Sequence, residues 1–544
     1  MKNEQRGLIA VGLCVVVWIV WFKFISPLPP PSPQTQPTVA TQVATPHSDQ
    51  NQKRPETHSK PSVEKVGEEV VLENNVVRVT LNSIGGVLKN WELKKFTRNG
   101  GERPSAVSLA ELQGNILNLE LRDANVNIDK PIPFSVVKKG ENSAELRFIS
   151  KGLVIVKHLE LDPDAYLMKM SLEMVNNTNK TVSFIPAIDW SKIPVEESPQ
   201  RGVFIFKTPP DRWQPIYYLD GSFKTINAEK VPSLEYLKGK TNWVGAESRY
   251  FLGSIIPEGK EAQGVEVGQY AIASGEKVFF TKLILSQVEI LPGERWLQKF
   301  DIYGGPKELK ALKNVGANLN EAIGYGWITI VATPILLLLQ FFYKVVHNYG
   351  LAIILLTILL KILLNPINRK SMESMKKMQS LQPKLKAIKD KYGDDKQKIN
   401  LETMQLFKSY KVNPMGGCLP MLLQFPIYIA LYQVLWHSVE LYHAPFFWFY
   451  KDLSAPDPYF VTPILLGITM VIQTKMTPNP SADPAQQKMM MLMPLMFSGI
   501  MLFLPMGLVL YILVNTVMTI LQQGMYTRGL RLRDVIRGNF GRTT

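Results

Sequence analysis

The spacing of apolar residues divides the chain into two parts. From about residue 66 to residue 307, short runs such as 76–81 and 166–172 alternate apolar and polar positions and are separated by Gly, Asn and Pro. A period of two is typical of half-buried strands. The pattern predicts a large all-β sandwich domain, to which we assign residues 62–320.

The remaining apolar segments are long and uncharged, as membrane-spanning helices are. A hydrocarbon core about 30 Å thick needs about 20 helical residues. We predict a polytopic α-helical membrane protein with six transmembrane helices, the last five forming one core; the segments are 1–25, 348–368, 414–438, 458–475, 489–504 and 507–526.

The first span has two interpretations. Lys2 and Arg6 precede an uncharged run over residues 7–22, which fits either a cleaved signal peptide or a retained anchor. No small-x-small cleavage site lies beside this run, so we favour the anchor. Residues 26–61 are rich in Pro, Thr, Gln and Ser, which predicts a disordered linker on the outer side.

The distribution of charge predicts the sidedness. The net charge is +15, and much of the positive excess flanks apolar spans. By the positive-inside rule we place both termini, a helical hairpin over 369–413, a short loop over 476–488 and the basic tail 527–544 in the cytoplasm. The β domain and the loop 439–457 then lie outside. The hairpin is either a binding element or a solvated linker with an apolar seam.

One apolar segment is ambiguous. Residues 321–347 contain Trp327 near the start, Pro334 inside and Lys344 near the end. Because Pro334 and the nearby Gly350 leave little chain for a crossing and a turn, we predict an amphipathic helix lying in the outer interface. The alternative is a seventh span, which would reverse the sidedness of everything downstream.

A cation lies inside the second predicted span. Thr357, Lys361 and Asn365 recur every four residues and share one helix face. A charge within the membrane is costly and marks a functional site by default. We predict that Lys361 faces a water-filled cavity. The alternative is that its ammonium extends along the helix to the lipid headgroups.

Polar residues in other spans complete the predicted cavity. Gln424 and Tyr428 share a face of one span, and Asn515 and Gln522 interrupt the last. Water among them would lower the cost of moving a hydrophilic peptide tail through the membrane. Flanking Leu, Met and Phe faces would let an apolar client segment move into lipid.

The residue inventory excludes most chemistry. The sequence has no His-x-x-x-His or Cys-x-x-Cys pair and no serine, histidine and oxyanion-loop arrangement within a span, so we expect no enzyme activity, no metal and no cofactor. Charge that flanks spans predicts no specific nucleic-acid recognition. A secondary transporter would more often show two related halves, and this sequence shows no visible internal repeat, which disfavours that class. Four tryptophans of the β domain could line a sugar or peptide cleft, although we favour packing: Trp190, Trp213, Trp243 and Trp296.

Several motifs resemble the YidC family of membrane protein insertases. In the membrane region these are Asn413-Pro414-Met415-Gly416-Gly417-Cys418-Leu419-Pro420, Gln424-Phe425-Pro426-Ile427, Ser438-Val439-Glu440-Leu441, Asp452-Leu453-Ser454-Ala455 and Gly507-Leu508-Val509-Leu510-Tyr511. The β domain resembles the large periplasmic domain of Gram-negative members through Trp243-Val244-Gly245, Arg249-Tyr250-Phe251 and Tyr303-Gly304-Gly305-Pro306-Lys307.

The resemblance implies a multi-pass protein of the bacterial inner membrane whose periplasmic domain is a β-supersandwich akin to sugar-mutarotase folds. It implies an insertase and folding chaperone for nascent membrane proteins, acting alone or with the Sec translocon through a hydrophilic groove. Phospholipid is an expected partner, and so is the ribosome, through the cytoplasmic hairpin and the basic tail. The alternative function is a scaffold or assembly factor for the Sec machinery.

The resemblance also carries over single residues. Lys361 matches a position where many members have Arg, so the charge is kept but the planar fork that clamps a carboxylate is lost. Thr357 and Tyr428 match groove and client-contact positions, and Tyr511 matches the first of a Tyr pair whose second member is Ile512 here. We assign the client groove to Lys361, Thr357, Gln424, Tyr428, Asn515 and Tyr511.

Overall fold

The computed structural model describes twelve stretches of the chain. They are residues 67–97, 106–109, 116–128, 130–194, 196–198, 211–259, 262–272, 275–393, 395–410, 419–447, 450–476 and 484–527. The predicted N-terminal span, the linker 26–61 and the tail after Thr527 lie outside the described residues.

The β domain consists of short strands with alternating burial. In chain order they are β1 (Glu69–Glu73), β2 (Val77–Asn82), β3 (Val87–Thr97), β4 (Ala106–Ser108), β5 (Leu119–Arg122), β6 (Ser135–Lys139), β7 (Ser143–Ser150), β8 (Leu153–Leu161), β9 (Leu167–Asn176), β10 (Val182–Lys192), β11 (Glu196–Ser198), β12 (Asp211–Arg212), β13 (Gln214–Leu219), β14 (Ser222–Thr225), β15 (Leu234–Lys238), β16 (Thr241–Glu247), β17 (Phe251–Pro257), β18 (Ala262–Ala271), β19 (Lys277–Leu285), β20 (Val288–Ile290) and β21 (Arg295–Pro306).

These strands form three larger sheets, and all their pairings are antiparallel. The nine-stranded sheet has the order β14-β13-β16-β17-β21-β9-β8-β7-β6. A second has the order β15-β18-β19-β10-β20 with β5 also paired to β10, and a third has the order β1-β2-β3-β4. Their inward side chains meet in one core. The predicted β-rich domain is confirmed.

The four tryptophans of this domain pack against other side chains. Trp190, Trp213 and Trp243 are 0% exposed. Trp296 is partly buried and meets the ring of Phe184 edge-on at 5.9 Å. The packing interpretation is confirmed, and these rings are not the lining of an open cleft.

Nine helices are described after the last strand. They are α1 (Leu309–Val315), α2 (Thr329–Val346), α3 (Tyr349–Ser380), α4 (Gln382–Tyr392), α5 (Lys396–Ser409), α6 (Leu419–His437), α7 (Val461–Met476), α8 (Pro484–Met501) and α9 (Met506–Thr527). Among the described residues, three segments are long and apolar enough to cross a membrane: Gly326–Val346, Tyr349–Met378 and Met506–Tyr526. The count of six spans stays a prediction.

Helices α7 and α9 run in the same direction. The backbone N–H groups of Met506 and Gly507 donate to the carbonyls of Ala455 and Leu453, which places the start of α9 beside the segment before α7. At the other end, Gln523 Nε2 donates to the carbonyl of Met476, at 2.7 Å. Because α8 connects the end of α7 to the start of α9, it runs the opposite way.

One end of the bundle is joined to the β domain. After α2, Asn348 Nδ2 donates to the carbonyl of Phe446, in the loop that follows α6, at 2.7 Å. Tyr442 of the same loop packs edge-on against Phe251 of β17, with ring centres 5.4 Å apart. Before α2, Trp243 Nε1 donates to the carbonyl of Ala317, at 3.1 Å. Residues on either side of α2, Ala317 twelve positions before it and Asn348 two positions after it, thus contact the β domain or the loop attached to it.

Helix α3 is longer than the span that the sequence predicts. The apolar run ends near residue 368, but the helix continues through Pro366 to Ser380. The predicted hairpin therefore begins as an extension of α3, and its two separate helices are α4 and α5, which contact each other where Tyr392 Oη donates to Glu402 Oε1 at 3.3 Å. Loss of hydropathy marks the boundary of the apolar region, whereas a helix ends only where its backbone hydrogen bonds end.

Candidate functional site

Lys361 lies inside the bundle and points to α9. Its residue surface is only 4% exposed, and Nζ donates to Thr519 Oγ1 at 2.7 Å. The Thr519 hydroxyl in turn donates to the backbone carbonyl of Asn515, at 2.7 Å. The Lys361 ammonium therefore joins α3 to α9 through a single hydroxyl group.

The Lys361 ammonium is incompletely matched. An ammonium has three N–H donors. Among the described residues, Thr519 is its only hydrogen-bond acceptor, and no carboxylate pairs with it. Two N–H groups remain for water or for a ligand, and the unpaired charge attracts anions.

A second polar cluster joins α6 to α9. Gln424 Nε2 donates to Asn515 Oδ1 at 3.2 Å, and Asn515 Nδ2 donates to the Tyr428 hydroxyl at 2.5 Å. The ring of Tyr511 meets that of Tyr428 edge-on, with centres 5.8 Å apart, and the Tyr511 hydroxyl lies within reach of the Gln424 amide. Asn515 connects this cluster to the Lys361 site because its carbonyl accepts from Thr519.

Thr357 takes a smaller part than its spacing predicts. Its hydroxyl donates to the carbonyl of Ile353 in its own helix, at 2.7 Å, and the residue is buried. Threonine often forms this bond inside a helix. Five of the six assigned residues are thus brought into two connected clusters, while Thr357 lies one turn before Lys361 on α3 with its donor already used.

Thr519 is not among the residues that the sequence assigns to the groove, yet it is the direct partner of Lys361. A signal exists in the chain: Tyr511, Asn515 and Thr519 recur every four residues on α9. A threonine inside an apolar helix usually bonds its own backbone, so the residue type alone does not mark a site.

The described residues offer no alternative chemistry at this place. They contain no group of three or more His, Cys, Asp or Glu side chains arranged to hold a metal ion. The site presents one cation, hydroxyl groups and carboxamides, which can attract and hydrogen-bond a peptide but supply no nucleophile with an activating base.

Two family models match separate parts of the chain. The model described as the 60Kd inner membrane protein matches residues 341–533, and the YidC periplasmic domain matches residues 69–338. Together they include the helical bundle and nearly all of the β domain.

Individual relatives match the chain over nearly its full length. The membrane protein insertase YidC of Geobacter metallireducens is 34% identical over 97% of this chain and 99% of its own. A crystal structure of an active YidC insertase with its first transmembrane domain resolved covers 83% of this chain and 91% of that chain, at 18% identity and a TM-score of 0.38.

A galactose mutarotase related enzyme from Lactobacillus acidophilus covers 44% of this chain and 97% of that chain, at 9% identity and a TM-score of 0.31. The mutarotase likeness of the β domain stays a prediction. The insertase family does not act by enzymatic catalysis, in agreement with the residue inventory. Because the chain is 34% identical to the Geobacter protein over nearly its full length and matches two family models, it belongs to the YidC family of membrane protein insertases.

Proposed function

We propose that the chain is a membrane protein insertase and folding chaperone that moves the hydrophilic tail of a client through a water-filled groove between α3, α6 and α9. The Lys361 charge attracts acidic or polar tail residues. The client's apolar segment then moves sideways into the inner membrane, driven by its own burial.

The observation that carries this proposal is the incomplete bonding of Lys361. A buried ammonium is costly unless its donors and charge are matched. Here Thr519 supplies the only acceptor among the described residues. Water that enters from the cytoplasmic side would lower this cost, and a client carboxylate or carbonyl would replace that water during passage.

The Gln424, Tyr428 and Asn515 cluster supports a hydrophilic wall rather than an open channel. These side chains hydrogen-bond each other, so they hold α6 and α9 together in the absence of a client. A peptide that enters must exchange these bonds for its own. Such an exchange between equivalent hydrogen bonds costs little and makes the site tolerant of many sequences.

Apolar side chains beside the site supply the route into lipid. Helix α8 exposes an apolar surface rich in methionine, which adapts to client side chains of different shape. Its exposed members are Met491, Leu492, Met493, Leu495 and Met496. Helix α7 adds Ile464, Leu465 and Ile468.

The contacts at the outer end support the proposed sidedness. Residues that flank α2 on both sides, Ala317 and Asn348, contact the β domain or the loop after α6, which favours an interfacial α2 over a seventh span. With the β domain in the periplasm, α3 then enters from the outer side, and both termini and the helices α4 and α5 lie in the cytoplasm. There they can meet the ribosome, the Sec translocon and phospholipid headgroups.

Charge substitutions at Lys361 test the proposal. We expect Lys361→Glu to slow insertion of a client with an acidic tail about tenfold or more, because like charges cost several kcal/mol and about 1.4 kcal/mol is a factor of ten. Lys361→Arg should keep most of the activity. Insertion is measured by protease protection of the tail in proteoliposomes containing the purified protein.

The matched control is Lys475→Glu, which makes the same charge change at an exposed position at the end of α7. It should leave the rate close to that of the unmodified protein. Equal rates for Lys361→Glu and the control would contradict the electrostatic role.

Photocrosslinking separates insertion from the scaffold alternative. A photoreactive residue in place of Tyr428 should capture a nascent client if the cluster contacts it during passage. Capture of Sec subunits alone would favour the scaffold. A photoreactive residue in place of Ile149, which is exposed on the β domain, controls for random capture.

A further inference from the structure

Helix α2 has a carboxamide in an otherwise apolar middle section. Gln340 follows the run from Ile335 to Leu339, and its Nε2 donates to Glu440 Oε1 at 2.8 Å. Glu440 belongs to the short 3-10 turn Val439–Leu441 that follows α6. The proposed groove does not use either side chain, although Glu440 lies within one of the motifs shared with the family.

Glu440 lies in a partly buried place among both apolar and polar side chains. Its neighbours Val439 and Leu441 are buried, and Glu440 itself is partly buried. Burial raises the pKa of the Glu440 carboxyl, and the nearby Glu308 carboxylate raises it further, while the Gln340 and Ser438 side chains oppose that rise. A carboxyl group in such a place requires its hydrogen-bond donors.

The contact joins two elements whose relative position matters for the bundle. Helix α2 packs on α3 and α6. Its outward side exposes Ile330, Phe341 and Val345, which are suited to lipid. Fixing α2 to the outer end of α6 would therefore set the depth of the bundle in the bilayer and bound the groove on the outer side.

We propose that Glu440 is a positioning residue that, through Gln340, holds α2 against the outer end of α6, and that insertion requires α2 to be held there. The second half rests on the proposed insertase function. A second contact, just after the end of α2, also holds α2 near the loop that follows α6: Asn348 Nδ2 donates to the carbonyl of Phe446. Glu440 differs in that it bonds a side chain in the middle of α2.

Removal and exchange of the pair provide the test. We expect Glu440→Ala in the full chain in lipid nanodiscs to speed amide hydrogen exchange in α2 about tenfold, because it leaves the Gln340 amide without its partner. Insertion of the client should fall by at least a similar factor. Glu440→Gln keeps an acceptor oxygen and should resemble the unmodified protein in both measurements.

The exchanged pair is the most specific variant. Gln340→Glu alone places two acids together and should loosen α2, whereas Gln340→Glu combined with Glu440→Gln restores an amide donor opposite a carboxylate and should restore protection and insertion. The control is Glu321→Ala, which removes the acceptor of the Tyr218 hydroxyl outside α2 and should change neither measurement.

The outcomes are distinct. Unchanged exchange in Glu440→Ala, or no recovery in the exchanged pair, would overturn the positioning role. Faster exchange with undiminished insertion would overturn the requirement for a held α2. If the unmodified protein inserts no client while α2 still responds to Glu440→Ala, the proposed function fails and the positioning contact stands.

Discussion

Lys157 in the β domain and Lys361 in the helical bundle are both buried, but only one is fully bonded. Lys157 is 1% exposed, and its Nζ donates to three backbone carbonyls at 2.8 to 3.1 Å, those of Gly85, Gly86 and Leu117. Lys361 donates to the Thr519 hydroxyl alone among the described residues. All three N–H donors of the Lys157 ammonium are used, whereas two N–H donors of the Lys361 ammonium have no acceptor among the described residues.

The difference separates a structural cation from a functional one. Lys157 connects the turn after β2, the segment before β5 and strand β8, and the ring of Phe134 lies 5.1 Å from its nitrogen. Two other buried charges of the β domain, Lys307 and Glu247, pair with each other at 2.6 Å. Stability alone does not favour the arrangement at Lys361, because a charge with unfilled donors is costly.

The largest expected effect is on stability at Lys157. Lys157→Met removes three hydrogen bonds to buried carbonyls, so we expect the free energy of unfolding of the β domain to fall by about 3–5 kcal/mol. Urea unfolding of the full chain in detergent, followed by the fluorescence of the buried tryptophans, measures it.

The control is Lys299→Met at an exposed position of β21, which should change the unfolding free energy by less than about 0.5 kcal/mol. If Lys157→Met lowers the unfolding free energy no more than the control does, the three carbonyl bonds contribute nothing to stability. The contrast with Lys361 would then disappear.

The sequence predicts the two buried lysines to different extents. Alternation over β8 places Lys157 on the same side as Leu153, Ile155 and Leu159, so its inward direction could be inferred from parity. Its three carbonyl partners could not, because they come from segments about 40 and 70 residues away. The strand pattern specifies a face but not which turn packs over it.

In the helical bundle too, the sequence predicts the face of a buried lysine but not its partner. The face that carries Lys361 follows from the spacing in its own helix, and Asn515 interrupts the apolar pattern of the last span. Thr519 could not be chosen over other threonines, since the pairing depends on how α3 and α9 pack. The full extent of α3 also does not follow from the sequence pattern, because hydropathy reports the apolar region and not the helix beyond it.

Asp189 is the exception in the β domain and gives a pH-dependent effect of intermediate size. Burial raises the pKa of Asp189 to about 7, although Lys282 Nζ lies 3.9 Å away and opposes the rise, and Oδ1 has no hydrogen-bond partner. Between about pH 4 and pH 7 the folded state then holds a proton that the unfolded state has lost. Stability should therefore fall as the pH rises, by up to about 1.4 kcal/mol per pH unit.

Asp189→Asn should remove most of that slope. Urea unfolding at a series of pH values from 4.5 to about 7.5 measures it, within the window that the raised pKa defines. Asp123→Asn, at an exposed position, is the control and should keep the slope of the unmodified protein. Parallel pH profiles for Asp189→Asn and the control would mean that Asp189 is ionised throughout and matched by Lys282, as the fully bonded charges of this domain are.

The smallest expected change in stability is at Lys361. Lys361→Met replaces the lysine with an unbranched apolar side chain and removes an incompletely bonded charge. The Thr519 hydroxyl keeps its bond to the Asn515 carbonyl, so no buried group loses its only partner. We expect the unfolding free energy of the bundle to change by less than about 1 kcal/mol, a shift of about 2–4 °C in Tm, while client insertion falls. Thermal unfolding in detergent, followed by circular dichroism, and the proteoliposome assay measure the two effects on one preparation. A destabilisation as large as that of Lys157→Met would make Lys361 a structural cation, because only a side chain whose bonds hold the fold together costs several kcal/mol to remove.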